Sequence, residues 1–181
     1  SEKVDRLGYG DCKGLTNYTR ALLKIVGVES YFTEIYAGKI KTNMDFDFPV
    51  IHGNHVILNI PNKGNDIWLE CTNQTIPFGF LGDFTDDRDV LVITPEGGVI
   101  KRTPSYKNET NLQTTKATIR LDEKGTIQAT LERISKGLKF DNRYHYDRYP
   151  KEELIKHYKS KDWSYNNNLE VESVKLKNDK E

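Results

Sequence analysis

The sequence predicts an α+β fold, and three observations carry that prediction. Residues 15–26 space their apolar side chains at helical intervals. Residues 54–72 hold two strand-like runs around a short turn. Residues 115–134 alternate apolar and polar side chains about a turn, which places a small β-rich unit after the core.

Leu15, Tyr18, Ala21, Leu22, Ile25 and Val26 make a 3.6-residue stripe, the mark of an amphipathic helix with one buried face. Gly27 is placed to end it. Asp11 is an N-cap candidate, which puts Cys12 in the first turn. Asn54-His55-Val56-Ile57-Leu58-Asn59-Ile60 is a strand candidate rich in β-branched residues. Pro61-Asn62-Lys63-Gly64-Asn65 supplies a turn, and Asp66-Ile67-Trp68-Leu69-Glu70-Cys71-Thr72 reads as its antiparallel neighbour. Residues 89–94 and 99–102 form a further pair joined by Pro95-Glu96-Gly97-Gly98.

A polar, proline-containing stretch at residues 103–109 sets a boundary, giving units at 1–103 and 104–181. Residues 115–121 and 126–134 then form a hairpin about Asp122-Glu123-Lys124-Gly125, with a slip in alternation at Ile134. Residues 140–149, rich in Tyr, Arg and Asp, read as a loop. Their aromatic rings are expected to pack on the core, because a small β unit needs apolar area to bury. Pro150 suits the N1 position of a short helix over 151–159. Leu169, Val171, Val174 and Leu176 suggest a last strand, and residues 177–181 a charged tail.

Chemistry concentrates in the first unit. A thiol in a helix's first turn lies beside unpaired N–H groups and the positive end of the helix dipole, surroundings that favour the nucleophilic thiolate. A small buried hydrophobe would fit the same position. With an imidazole on one strand and a carboxylate on the next, Cys12, His55 and Glu70 can act as nucleophile, base and orienter. His52 lies three residues from His55, so on a strand only one of them can face the thiol. Asp86 and Asp87 are rival orienters, although Thr85-Asp86-Asp87 fits a turn better. Cys12, His52, His55 and Cys71 lack the paired spacing of structural zinc sites. Two cysteines make no disulfide framework, so Cys71 is most simply a buried strand residue.

The order of these pieces resembles the transglutaminase-like superfamily, the papain-type thiol enzymes. In that family a Gly-x-Cys opens the core helix, a His-Val or His-Ala strand follows, and a Trp-containing strand ends in Asp-Pro-Thr. Here the matching pieces are Tyr9-Gly10-Asp11-Cys12, His55-Val56 and Trp68-Leu69-Glu70-Cys71-Thr72. The resemblance covers about residues 8–100, and residues 77–88 look like a bacterial branch with a β-rich domain after the core. It implies Cys12 as nucleophile, His55 as base and Glu70 as acid, with Glu70 standing for the usual Asp and Cys71 for the usual Pro. It also implies a core whose upstream helices are missing, since only eleven residues precede Cys12. Tyr9 and Asn54 become the candidates to complete an oxyanion hole with the Cys12 N–H. Export to a periplasm or cell surface is common in that branch.

Composition sets the remaining bounds. The 181 residues carry 27 basic and 27 acidic side chains, so no global field draws nucleic acid or a membrane surface. The two units carry net −3 and +3, too little to name a partner. No apolar run approaches the length of a membrane span, and no signal peptide is visible. Three Asn-x-Thr tripeptides begin at Asn17, Asn73 and Asn108 and carry no inference about glycosylation. His145 and His157 stand alone as surface or packing residues. The function expected is acyl transfer or hydrolysis at amide bonds of proteins or peptides through a Cys12 thioester, with no metal and no organic cofactor. The rival is the same scaffold without turnover, serving as a binding module.

Overall fold

Asp11 caps the helix that follows it. Its carboxylate accepts the Gly14 N–H at 2.7 Å, and helix α2 runs over Cys12–Ile25. At the far end Val28 N–H returns to Leu23 O and Gly27 N–H to Lys24 O, with Gly27 at φ 74°. These two bonds make a Schellman stop, so the helix ends where the glycine predicts. The computed structural model describes residues 2–48, 51–162 and 164–179. Pro49 and the last two residues of the charged tail lie outside them.

A short helix, α1 (Glu2–Leu7), precedes α2 and was not legible in the sequence. Its Val4 is buried against the capping loop. A Cβ on Gly10 would stand 2.9 Å from Val4 Cγ2, and one on Gly14 3.2 Å. The two glycines flanking the cysteine turn therefore admit α1 at close range. Tyr18 on α2 donates to Asp5 on α1 at 2.6 Å.

Five antiparallel strands make the sheet: β1 (Tyr31–Ile35), β2 (His55–Ile60), β3 (Ile67–Leu69), β4 (Asp89–Thr94) and β5 (Gly97–Arg102). Their order is β3-β2-β1-β4-β5. The pairs β2–β3 and β4–β5 match the sequence reading. The central strand β1 does not follow from pattern alone, because Tyr-Phe-Thr-Glu-Ile lacks clean alternation and Glu34 within it is buried. Burial pushes the Glu34 carboxyl up, opposed by the charge of Lys13. Ile35, Ile57, Trp68, Val90 and Val92 pack together with Leu81 on one face of the sheet. His55 pairs directly with Ile35, so its side chain belongs to that face. Thr16 on α2, fully buried, donates to Val56 O at 3.4 Å and ties the helix to β2 beside His55.

After residue 103 the described residues form one hairpin, β6 (Gln113–Leu121) with β7 (Ile127–Ser135), and short helices. The hairpin sits at the expected place, and the slip at Ile134 is real: it pairs with Thr114, on the face opposite Leu131. The expected last strand is absent, as residues 169–179 join no sheet. Their imperfect alternation gives neither face a continuous apolar row to bury. The expected loop at 140–149 is partly helical, with α3 at Leu138–Asp141 and a 3₁₀ turn at Tyr144–Arg148. Pro150 sits at the N-cap of α4 (Lys151–His157), one position earlier than expected. Phe140 meets Phe80 edge-on at 5.8 Å, whereas the rings of Tyr146 and Tyr149 meet His145 and His157 of their own segment, and polar contacts join the two parts of the chain. The Tyr106 hydroxyl accepts Leu81 N–H at 3.0 Å, and Asp141 accepts Asp83 N–H at 2.8 Å. Asn73 donates to the Tyr144 hydroxyl at 2.7 Å, and Arg148 to Thr75 at 2.9 Å.

Arg88, fully buried at the entry to β4, joins the loops. Its guanidinium donates to Tyr36 O (2.6 Å), Gly38 O (3.2 Å), Asp83 O (3.1 Å) and Asp86 O (2.8 Å). Arg88→Met fills similar space but strands these carbonyls. Each buried group left unpaired costs about 1–3 kcal/mol, so a total loss of about 3–5 kcal/mol in urea unfolding is expected. A loss below about 1 kcal/mol would show that water replaces the guanidinium.

Candidate active site

His55 begins β2 and Glu70 follows the last residue of β3, so the β2–β3 pairing sets their side chains side by side. His55 Nε2 lies 2.8 Å from Glu70 Oε2, and both side chains are more than nine-tenths buried. The other carboxylate oxygen accepts from Thr72, through its backbone N–H at 3.1 Å and its hydroxyl at 2.5 Å. Burial pushes the Glu70 carboxyl up, but the His55 and Thr72 hydrogen bonds and the His55 charge outweigh it and hold it below the usual carboxylate range. An ionised Glu70 can only accept, so Nε2 carries the proton and donates. Nδ1 is then the open acceptor of the neutral ring. It makes no hydrogen bond among the described residues. Phe84 covers the imidazole edge-on, with centroids 5.3 Å apart at 63°.

Cys12 occupies the first turn of α2, partly buried, as a free thiol. It lies one helical turn before Thr16, whose hydroxyl reaches the strand residue next to His55. Among the described residues its sulfur makes no hydrogen bond, to His55 or elsewhere. The structure thus brings His55 and Glu70 together and leaves the Cys12 thiol outside their hydrogen-bonded pair.

The rivals separate clearly. His52 is exposed and lies outside β2. Asp86 is buried against Lys41 and Arg88, and Asp87 pairs with Lys41 and Arg102. Neither bonds to His55. Cys71 is a free, half-buried thiol. Burial pushes it up and the Glu70 charge adds to the rise, against hydrogen bonds with Thr19 and Thr16. Of the two oxyanion candidates, Asn54 is committed elsewhere. Its amide bridges both backbone groups of Ala37, at 2.7 and 2.9 Å. Tyr9 is 69% exposed. No three His, Cys, Asp or Glu side chains among the described residues converge to hold a metal ion, and no described helix is long and apolar enough to cross a membrane.

Sequence reasoning missed Thr72 and Phe84. Thr72 had a signal, since a threonine two residues after a carboxylate can close a local turn on it. Phe84 had none, because the loop over residues 81–88 is placed by Arg88, Tyr106 and Asp141 from distant parts of the chain. A cleft of about 250 Å³ opens beside Glu70, walled by Ile76, Pro77, Phe78 and Phe80. Comparison with protein-family models, with curated proteins and with solved structures finds no match.

Glu70→Gln keeps the shape of the pair and removes its charge. Hydrogen bonds to charged groups contribute about 1.5–3 kcal/mol, and the variant is expected to lose that much at neutral pH. A carboxyl held below its ordinary value of 4.5 stabilises the fold above that pH and loses its contribution as the pH falls below it. The stability gap between wild type and Glu70→Gln should therefore close in acid. A gap that is flat from neutral pH to acid would remove the charged pair from the account.

Proposed function

We propose that this chain carries a transglutaminase-like thiol site that transfers or hydrolyses acyl groups at amide bonds of proteins or peptides. One observation carries the reading: His55 is oriented by the buried Glu70 through Nε2, which leaves Nδ1 open to accept a thiol proton. Cys12 is the thiol whose helix is tied to β2 at the neighbouring residue. Catalytic hydrogen bonds are often unmade in the free enzyme and form in the complex with substrate, so an unbonded Cys12 is compatible with the role.

In this reading the Cys12 proton passes to Nδ1, and the thiolate attacks the amide carbonyl carbon. The oxyanion is stabilised by the Cys12 N–H at the start of α2 and by Tyr9. Collapse expels the amine, which takes its proton from the imidazolium, and leaves a thioester on Sγ. Glu70 stays ionised and supports the transient positive ring. Water then attacks the thioester with His55 as base and regenerates the thiol; a second amine would give transamidation instead. The open depression beside Glu70, lined by Asn73 as well as Ile76 and Phe78, is where a substrate side chain would lie in this reading. A protein or peptide partner follows from this chemistry, which draws on no cofactor.

The scaffold reading is favoured by one observation, the missing Cys12–His55 hydrogen bond. One measurement separates the two: iodoacetamide labelling of Cys12 against pH, by mass spectrometry, in wild type and His55→Ala. The proposal expects rapid labelling at about pH 6, well below the ordinary thiol range. It also expects a fall of at least about tenfold when the base is removed. An ordinary thiol profile in both proteins would leave the scaffold reading. In the active case Cys12→Ala abolishes turnover with folding intact.

A further inference from the structure

Three residues outside this site meet across the sheet. Lys101 on β5 reaches toward β2, where Asn59 is fully buried. Asp66, just before β3, joins them. Its Oδ2 lies 2.5 Å from Lys101 Nζ and also 3.0 Å from Asn59 Nδ2. Lys101 Nζ is 3.4 Å from Asn59 Oδ1. One carboxylate oxygen thus touches both the amine and the amide nitrogen, while the amine sits at the amide's carbonyl.

We propose that Lys101 and Asn59 form an intramolecular isopeptide bond, with Asp66 as the proton shuttle. An amine, a buried carboxamide and a bridging acid are the groups that aminolysis of an amide requires. Proximity replaces the activated ester used in solution, because groups held in contact gain the advantage of an intramolecular reaction. The ion pair is the resting form. Moving one proton along the 2.5 Å contact converts it to a neutral amine and a protonated carboxyl. The Nζ lone pair attacks Asn59 Cγ, and the carbonyl oxygen takes the negative charge. Asp66 gives its proton to Nδ2 and takes one from Nζ. The Cγ–Nδ2 bond breaks and Nδ2 leaves as ammonia. The product is an Nζ–Cγ amide with Asp66 protonated, until ammonia carries that proton away as ammonium. Nothing is oxidised or reduced. Trp68, itself buried, stands directly opposite Asn59 in the β2–β3 pairing and so on the same face of the sheet. The link would staple β5 to β2 across the two strands between them.

The test is the intact mass of the full chain under denaturing conditions. The proposal expects wild type to be lighter than its sequence by one ammonia. It expects Lys101→Arg, which keeps the charge but lacks the primary amine, to run at the full sequence mass. A tryptic digest of wild type should yield one branched peptide joining Asn59 to Lys101. Mass is read on the unfolded chain, so the wild-type result holds however well the variant folds. A wild type at the full sequence mass would overturn the bond. A loss of one water with the branch at Asp66 would overturn the assignment to Asn59.

Discussion

The buried guanidinium of Arg88 is the interaction on which the arrangement of loops depends. A charge without water is costly unless its donors are all met, and here backbone carbonyls from two separate loops meet them. The consequence is geometric. Residues 36–38, residues 83–86 and the start of β4 share one fixed point, so the segment over the sheet face has no freedom to lift. Phe84 rides on that segment, and so its ring lies against His55. A buried structural cation, which never touches the imidazole, thereby sets the cover of the candidate base.

The C-terminal residues fix the same segment from the other side. The Tyr106 hydroxyl and the Asp141 carboxylate accept the loop N–H groups on either side of Gly82, from Leu81 and Asp83. The carboxylate comes so close to Gly82 that a Cβ there would fall 2.3 Å from Asp141 Oδ1, and glycine is required for the approach. Burial pushes the Asp141 carboxyl up, relieved in part by the Asp83 N–H and aggravated by the neighbouring Asp83 and Asp86 charges. A raised carboxyl favours folding in acid and costs stability as the pH rises, the opposite sense to Glu70. The two groups bracket the loop electrostatically. The two carboxyls that hold this region are thus shifted in opposite directions, Asp141 up and Glu70 down.

The core helix, the β2–β3 and β4–β5 pairs and the β6–β7 hairpin were legible because each is specified locally: a capped 3.6-residue stripe, β-branched runs and turn residues between them. The His55–Glu70 contact was legible as well, since strand pairing converts two sequence positions into neighbours. What sequence could not show depends on distant partners. Strand β1 is a strand because β2 and β4 flank it, despite the buried Glu34. Helix α1 exists because Val4 finds the Gly10–Gly14 surface. The segment expected as a last strand, near residues 169–176, has apolar residues but pairs with no strand. Arg88 simply follows Asp86 and Asp87 in sequence, and nothing local shows that four carbonyls surround it.

Two thiols border α2, and their settings differ enough to assign them different roles. Cys71 is half-buried beneath Thr16 and Thr19, next to the carboxylate that orients His55. Ionising it would place two negative charges side by side under the helix, and burial already opposes that. It is a packing residue that borders the site, with its sulfur also 3.9 Å from Leu69 O. Cys12 instead opens the helix, where the N–H groups of Cys12, Lys13 and Gly14 precede the first backbone bond, Leu15 N–H to Asp11 O at 2.9 Å. Asp11 meets one of them, that of Gly14. The remaining N–H groups of that turn are the donors an oxyanion at Cys12 would use. Cys12 and these N–H groups thus belong to the same turn of backbone.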